Sequence, residues 1–318
     1  MNDKPVKHYS GIGGLAVLEG VMMRNRDKYA IAVRKEDGSI AIKTASWHAL
    51  MEGSVLLRIP FVRGIFVFID SVRLSFQAMN EATEAPEVPV PEKGKKKKGK
   101  QASASPFLED LVSGLVFLLS FALAAFLFLV LPLVLASLFV RVVRSEALLS
   151  VFEGLLRILI FVLYILLISQ IKDIRRLFGY HGAEHKCINC IESGMPLTVK
   201  NVRESSRLHK RCGSSFILFV MLVGIVLFFF IRVESVGLRI LLRLLLLPVV
   251  SGISYELIRL AGKNENTFVR ILSAPGFWMQ RLTTREPDDD MIEAGIRSVE
   301  AVFDWKRYQQ DTFGYVYD

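Results

Sequence analysis

Residues Leu111–Val140 read LVSGLVFLLSFALAAFLFLVLPLVLASLFV, and the absence of any charge in this run decides the fold class. As a helix at ~1.5 Å per residue it would extend about 45 Å, beyond the ~30 Å hydrocarbon core of a bilayer. It therefore crosses once with tilt or overhang, or bends near Pro132. Working outward, Ile158–Ile171 continues an apolar face begun at Leu148, and Phe216–Ile231 is a further apolar run. Val236–Leu260 is the last, interrupted by Arg239, Arg243 and Glu256. The pattern predicts a mainly α membrane protein with about four transmembrane helices.

Across 318 residues, 52% are hydrophobic, and these runs hold most of the excess over a soluble domain. The net charge of +9 fits nucleic acid as a partner, or Lys and Arg gathered in cytoplasmic loops. The second reading accounts for the distribution better. Lys172–Arg211 holds nine Lys/Arg, whereas Arg232–Arg239 is short and nearly neutral. The positive-inside rule then puts the 172–214 loop and both termini in the cytosol, with the chain in the cell membrane. Arg141, Arg144 and Arg157, read as an outer loop, count against that orientation. Met1–Ser10 lacks an apolar core followed by a small-residue cleavage site, so no signal peptide is expected.

Residues 1–80 form an N-terminal cytosolic β region followed by an amphipathic helix. Alternating apolar residues on either side of Lys35-Glu36-Asp37-Gly38 predict a β-hairpin, within a sheet of about three strands. Pro60–Ala78 reads as a helix in which Arg63, Asp70 and Gln77 make one narrow polar stripe among Phe61, Phe66, Phe68 and Phe76. Such a helix lies at the membrane interface or packs under the small sheet, and the interface is the preferred reading. Residues 81–106, Glu/Pro-rich and then Lys-rich, form a disordered linker whose lysines suit anionic lipid or plain solvation. Residues 107–262 are the four-helix transmembrane domain. Residues 263–318 form a cytosolic C-terminal segment with a helix opened by Pro287-Asp288-Asp289-Asp290.

The chemistry concentrates in Tyr180-His181-Gly182-Ala183-Glu184-His185-Lys186-Cys187-Ile188-Asn189-Cys190 and in Leu208-His209-Lys210-Arg211-Cys212-Gly213. On a helix, His181 and His185 lie about 40° apart around the axis and one turn apart along it, so both can hold one ion. His-x-x-Glu-His inverts the zincin order, in which the glutamate acts as general base. His209 and Cys212 add nitrogen and sulfur donors that zinc accepts. Three other readings stay open. Four of His181, His185, Cys187, Cys190, His209 and Cys212 could close a structural zinc site. His181 and His185 could be polar groups at the interface. Cys187 and Cys190 could form a redox pair. Glu256, near the end of a span, is a further candidate, against an ion pair with Arg259 as the plain alternative. Glu19 and Arg24 follow a glycine-rich turn without phosphate-loop spacing.

Glu19-Gly20-Val21-Met22-Met23-Arg24, Tyr180–Lys186, His209–Gly213, Gly252–Glu256 and Arg281–Pro287 together resemble the YqhQ-like family of bacterial multi-pass membrane proteins of unknown function. The resemblance implies a metal-dependent enzyme with His181, Glu184, His185, His209 and Cys212 as its polar set. It leaves Cys187 and Cys190 outside that set. The leading expectation is a metal-dependent, hydrolase-like site at the cytosolic face, with zinc on His181, His185 and His209 or Cys212, and Glu184 activating water. The alternatives are a scaffold or biogenesis factor docking anionic lipid or a ribosome, and a transporter working through Glu256. A homo-oligomer is compatible with each.

Overall fold

The computed structural model describes residues 8–83, 106–143, 145–231, 233, 235–263 and 267–317. The segment read as a linker therefore lies, from 84 to 105, outside the described residues. The chain divides into two compact units, one of residues 1–86, 165–223 and 246–318, the other of residues 87–164 and 224–245.

In the first unit, β1 (Gly13–Val17), β2 (Gly20–Asn25), β3 (Lys28–Arg34) and β4 (Ile40–Ser46) form an antiparallel sheet in sequence order. The Asp37-Gly38 hairpin is present, with Gly38 at φ 83°. The sheet has one strand more than expected, because Gly13 and Gly14 belong to β1 and not to a glycine-rich turn. Pairing with β2 overrides the low strand preference of glycine at this edge.

Both faces of the sheet are covered. Val17, Met22, Tyr29, Ile31 and Val33 pack with Leu74, Ala78 and Ala82 of α1 (Val62–Thr83). The opposite face buries Val21 and Met23 against α5 (Lys172–Glu192) and α10 (Asp289–Glu300). Of the narrow polar stripe of α1, Asp70 is buried, Arg63 half-buried and Gln77 exposed. Both carboxylate oxygens of Asp70 accept the Leu50 N–H at 2.9 Å, and Gln77 Nε2 donates to the Tyr29 hydroxyl at 2.9 Å. Phe61, Phe68, Ile69, Val72 and Phe76 are exposed. One face of α1 thus underlies the sheet, as the packing alternative for this helix required, while Phe68 on the other stacks on Phe216 with ring centroids 5.2 Å apart. Asp288 caps α10 by accepting the Met291 N–H, and Ile292, Ile296 and Val299 are its buried face. The unit also holds α6 (Val199–Glu204), α9 (Thr267–Thr283) and α11 (Trp305–Phe313).

Among the described residues, four helical stretches are long and apolar enough to cross a membrane: Gly114–Ser137, Ala147–Ile168, Gly213–Phe230 and Gly237–Ala261. They imply a lipid bilayer environment. The first is α2 (Pro106–Ala125), a π-helical turn at Phe126–Val130 and α3 (Leu131–Ser137). Pro132 does not break it. Proline has no N–H for the carbonyl four residues back, and the wider turn, in which Leu131 N–H reaches Phe126 O, absorbs the mismatch. The others lie in α4 (Glu146–Ile168), α7 (Gly213–Phe230) and α8 (Val236–Lys263). Arg157 is no loop residue. In the second unit Glu153 of α4 accepts from Arg157 Nη2 at 2.9 Å and from Arg243 Nη2 of α8 at 2.7 Å, and all three are buried.

Candidate metal centre

Helix α5 carries His181, Glu184 and His185 on consecutive turns, packed beside α10 on one face of the sheet, with nearly every residue from Gly179 to Glu192 buried. Cys212 immediately precedes α7 and brings its Sγ to 3.2 Å from His181 Nε2. One donor atom each from His181, His185 and Cys212 lies within 4.8 Å of the others. Ligand atoms on one tetrahedral zinc stand roughly 3–4 Å apart, given bonds of ~2.0–2.3 Å. The trio is therefore a group able to hold a metal ion.

The orientation of each ring is fixed from behind. His181 Nδ1 lies 2.9 Å from the Thr283 carbonyl oxygen and His185 Nδ1 lies 2.7 Å from that of Arg207. A carbonyl only accepts, so both Nδ1 atoms carry the proton, and both Nε2 atoms are left to face Cys212. Backbone carbonyls behind metal-binding imidazoles have this effect generally. Burial would raise the Cys212 thiol, but the charges of His181 and His185 more than offset it and hold the thiol well below its ordinary range. Burial likewise disfavours charge on His181, and the Cys212 thiolate overcomes it, raising the imidazole to about 9. Protons thus gather on Nε2, where a cation would otherwise serve the thiolate.

Two glycines make room for this geometry. A Cβ on Gly182 would collide with the Arg285 carbonyl oxygen; its absence lets the chain after α9 lie on α5, with Arg285 N–H donating to Phe178 O at 2.8 Å. That approach delivers the Thr283 carbonyl to His181. A Cβ on Gly14 would stand 2.8 Å from Glu184 Cγ, so Glu184 rests directly against β1. The buried Glu184 carboxylate lies 3.9 Å from His181 Nε2 and 3.8 Å from His185 Nε2.

His209 stands beside the trio and is no member of it. Its ring centroid is 5.7 Å from that of His185, and its Nε2 is 3.6 Å from Glu192. Burial lowers its pKa, against the opposing pull of Glu192. Its backbone is clamped by Gln280, whose Oε1 accepts the His209 N–H at 2.8 Å and whose Nε2 donates to the His209 carbonyl at 2.7 Å. Cys187 and Cys190 point into the apolar core, where burial pushes both thiols up, Cys190 to about 11. Neither contributes to the trio. Glu256 accepts from Arg63 Nε at 2.7 Å, with Arg259 farther off at 3.8 Å, so its first partner is on α1 and not at i+3. Glu19, in the β1–β2 turn, is paired with Arg176 of α5. Arg24 Nε donates to Arg26 O at 2.8 Å.

The trio and Glu184 line a cavity of about 1030 Å³ bounded by β1, α1, α5 and the start of α7. Arg24 and His209 reach its wall; Glu19 and Glu256 do not. Sequence reasoning missed Thr283, Arg207 and Gly14. The first two act through backbone carbonyls, which leave no trace in residue type, although Thr283 falls inside the Arg281–Pro287 stretch already singled out.

Fold and site define a multi-pass membrane protein carrying a candidate His/Cys metal-binding group. The chain belongs to the family described as "Protein of unknown function (DUF1385)", whose model matches residues 59–305. It is 37% identical over 292 residues to "Uncharacterized protein YqhQ" of Bacillus subtilis (strain 168), covering 90% of each chain. No solved structure matches.

Proposed function

We propose that the protein is a cell-membrane hydrolase whose zinc-dependent site lies at the cytosolic face. One observation carries this reading: His181 Nε2, His185 Nε2 and Cys212 Sγ converge on one point beside Glu184, with both imidazole tautomers fixed for ligation. Mixed nitrogen and sulfur donors suit zinc, and three protein ligands leave a position open, as in catalytic rather than structural sites. A zinc ion held there would supply Lewis acidity and lower the pKa of water. Glu184 takes the proton of the attacking water and returns it to the leaving group. Thr283 and Arg207 hold His181 and His185 in register meanwhile. Lys172–Arg211 supports the cytosolic orientation through its nine Lys/Arg, and Arg157, paired within α4, no longer counts against it.

The test is the metal content of the purified full-length chain. About one zinc per chain is expected, lost in His181→Ala and His185→Ala and kept in Glu184→Gln. Folded wild-type protein purified and dialysed against zinc without retaining any would overturn the reading.

A further inference from the structure

Strand β1 is an edge of the sheet, pairing with β2 and with no other strand among the described residues. The β1–β2 loop has two residues, so Val17 and Gly20 must be a hydrogen-bonded pair, and the alternation along an antiparallel ladder follows. Val17, Leu15 and Gly13 turn their N–H and C=O groups to β2. Gly14 and Ala16 turn theirs outward. Among the described residues nothing accepts from or donates to them.

That free edge is half-buried from Gly14 to Ala16. It looks into the cavity of about 1030 Å³, between α1 on one face of the sheet and α5 on the other. A fifth strand paired with β1 would lie ~4.8 Å from it, the spacing that strands keep. The cavity includes Phe68 and Leu74 of α1 and Ile188 of α5 in its walls. It sits at the top of the ~300–1,000 Å³ range usual for small-ligand pockets. A free edge invites a strand, and native sheets usually blunt it with charge, proline or a cover; Gly13–Val17 carries neither charge nor proline.

We infer that the substrate is a polypeptide, bound in extended form by pairing with the outward groups of Gly14 and Ala16. Backbone pairing of this kind gives affinity, and pockets for alternate side chains give selectivity. The reading rests on the proposed hydrolytic site and names its substrate class. Because Gly14, Ala16, Glu184 and the His181/His185/Cys212 trio line the same cavity, a chain paired with β1 there shares its space with the Glu184 carboxylate and the trio. Water then adds through oxygen to the peptide carbonyl carbon as Glu184 takes its proton. The C–N bond breaks and that proton passes to the departing amine, leaving one new carboxyl and one new amino terminus.

The test incubates zinc-loaded full-length protein with a randomised decapeptide library, and mass spectrometry reads the new termini. Cleavage is expected with wild type and is abolished in Glu184→Gln. Ala16→Pro removes an outward N–H while sparing the β1–β2 bonds, and should cut the rate at least tenfold with zinc content unchanged. A cleaved peptide resynthesised with N-methyl groups gives a readout independent of the variant's folding. Methylation at alternate amides should block cleavage, and at the intervening amides leave it within a few-fold. Zinc-loaded wild type that cleaves no peptide overturns this inference, as does indifference to Ala16→Pro and to N-methylation. Failure to bind zinc overturns the hydrolytic reading beneath it.

Discussion

His181 Nε2 lies 3.2 Å from the Sγ of Cys212, a contact between α5 and the residue before α7. A ring nitrogen and a sulfur this close, largely withdrawn from water, call for a shared proton or a shared cation. Cys212→Ser keeps the shape but replaces a thiolate ligand with a hydroxyl. It should weaken zinc binding at least tenfold, read by competition with a chromogenic chelator, while leaving the helical circular dichroism unchanged.

Gly182 is where α5 admits the chain that follows α9. Gly182→Ala places a methyl group against the Arg285 carbonyl, which must move and carry the Thr283 carbonyl away from His181. Overpacking of this sort costs about 1–3 kcal/mol. Thermal denaturation in detergent should show a lower midpoint, and zinc affinity should fall with it, although residue 182 touches no ligand atom.

Acid should act through Glu192. Burial raises its carboxyl, but His209, Arg211 and the Ser10 N–H more than offset this and bring it down to about 2, against an ordinary value of 4.5. A carboxylate depressed in the folded state stabilises it above the unfolded pKa, and the contribution is lost as pH falls through the folded one. The loss should therefore run from about pH 4.5 to about pH 2, on the order of 3 kcal/mol in all. Glu192→Gln should be less stable than wild type at neutral pH, and the gap measured by denaturation should close toward pH 2.

Glu153 offsets two buried guanidiniums, those of Arg157 and Arg243. Removing it strands both in an apolar setting, a change that typically costs about 3–5 kcal/mol. Glu153→Leu should lower the thermal midpoint sharply, and the triple replacement of Glu153, Arg157 and Arg243 by leucine should recover most of the loss. A Glu153→Leu protein as stable as wild type would contradict the role assigned to this cluster.

The membrane helices, the Asp37-Gly38 hairpin and the helix opened by Asp288 were legible in the sequence because each rests on a local pattern: apolar length, alternation, a cap. The spacing of His181, Glu184 and His185 was legible for the same reason. Which way α1 faces was not, since the polar residues Asp70 and Gln77 turn toward partners on the sheet side, the Leu50 N–H and the Tyr29 hydroxyl. Periodicity gives a stripe but not the side on which its partners lie. Gly13-Gly14 reads locally as a turn, and only pairing with Arg24 and Met23 makes it a strand. The choice of Cys212 over His209 was equally out of reach, because it depends on Gln280 and Glu192 holding His209 aside.

X-ray absorption at the zinc edge of the purified, zinc-loaded chain tests the central claim most directly. The account predicts two nitrogen ligands at ~2.0–2.1 Å, one sulfur at ~2.3 Å and one light oxygen-type scatterer, unchanged in Glu184→Gln. A second sulfur, a third imidazole, or a shell that changes when Glu184 is replaced would mean a closed site and contradict it.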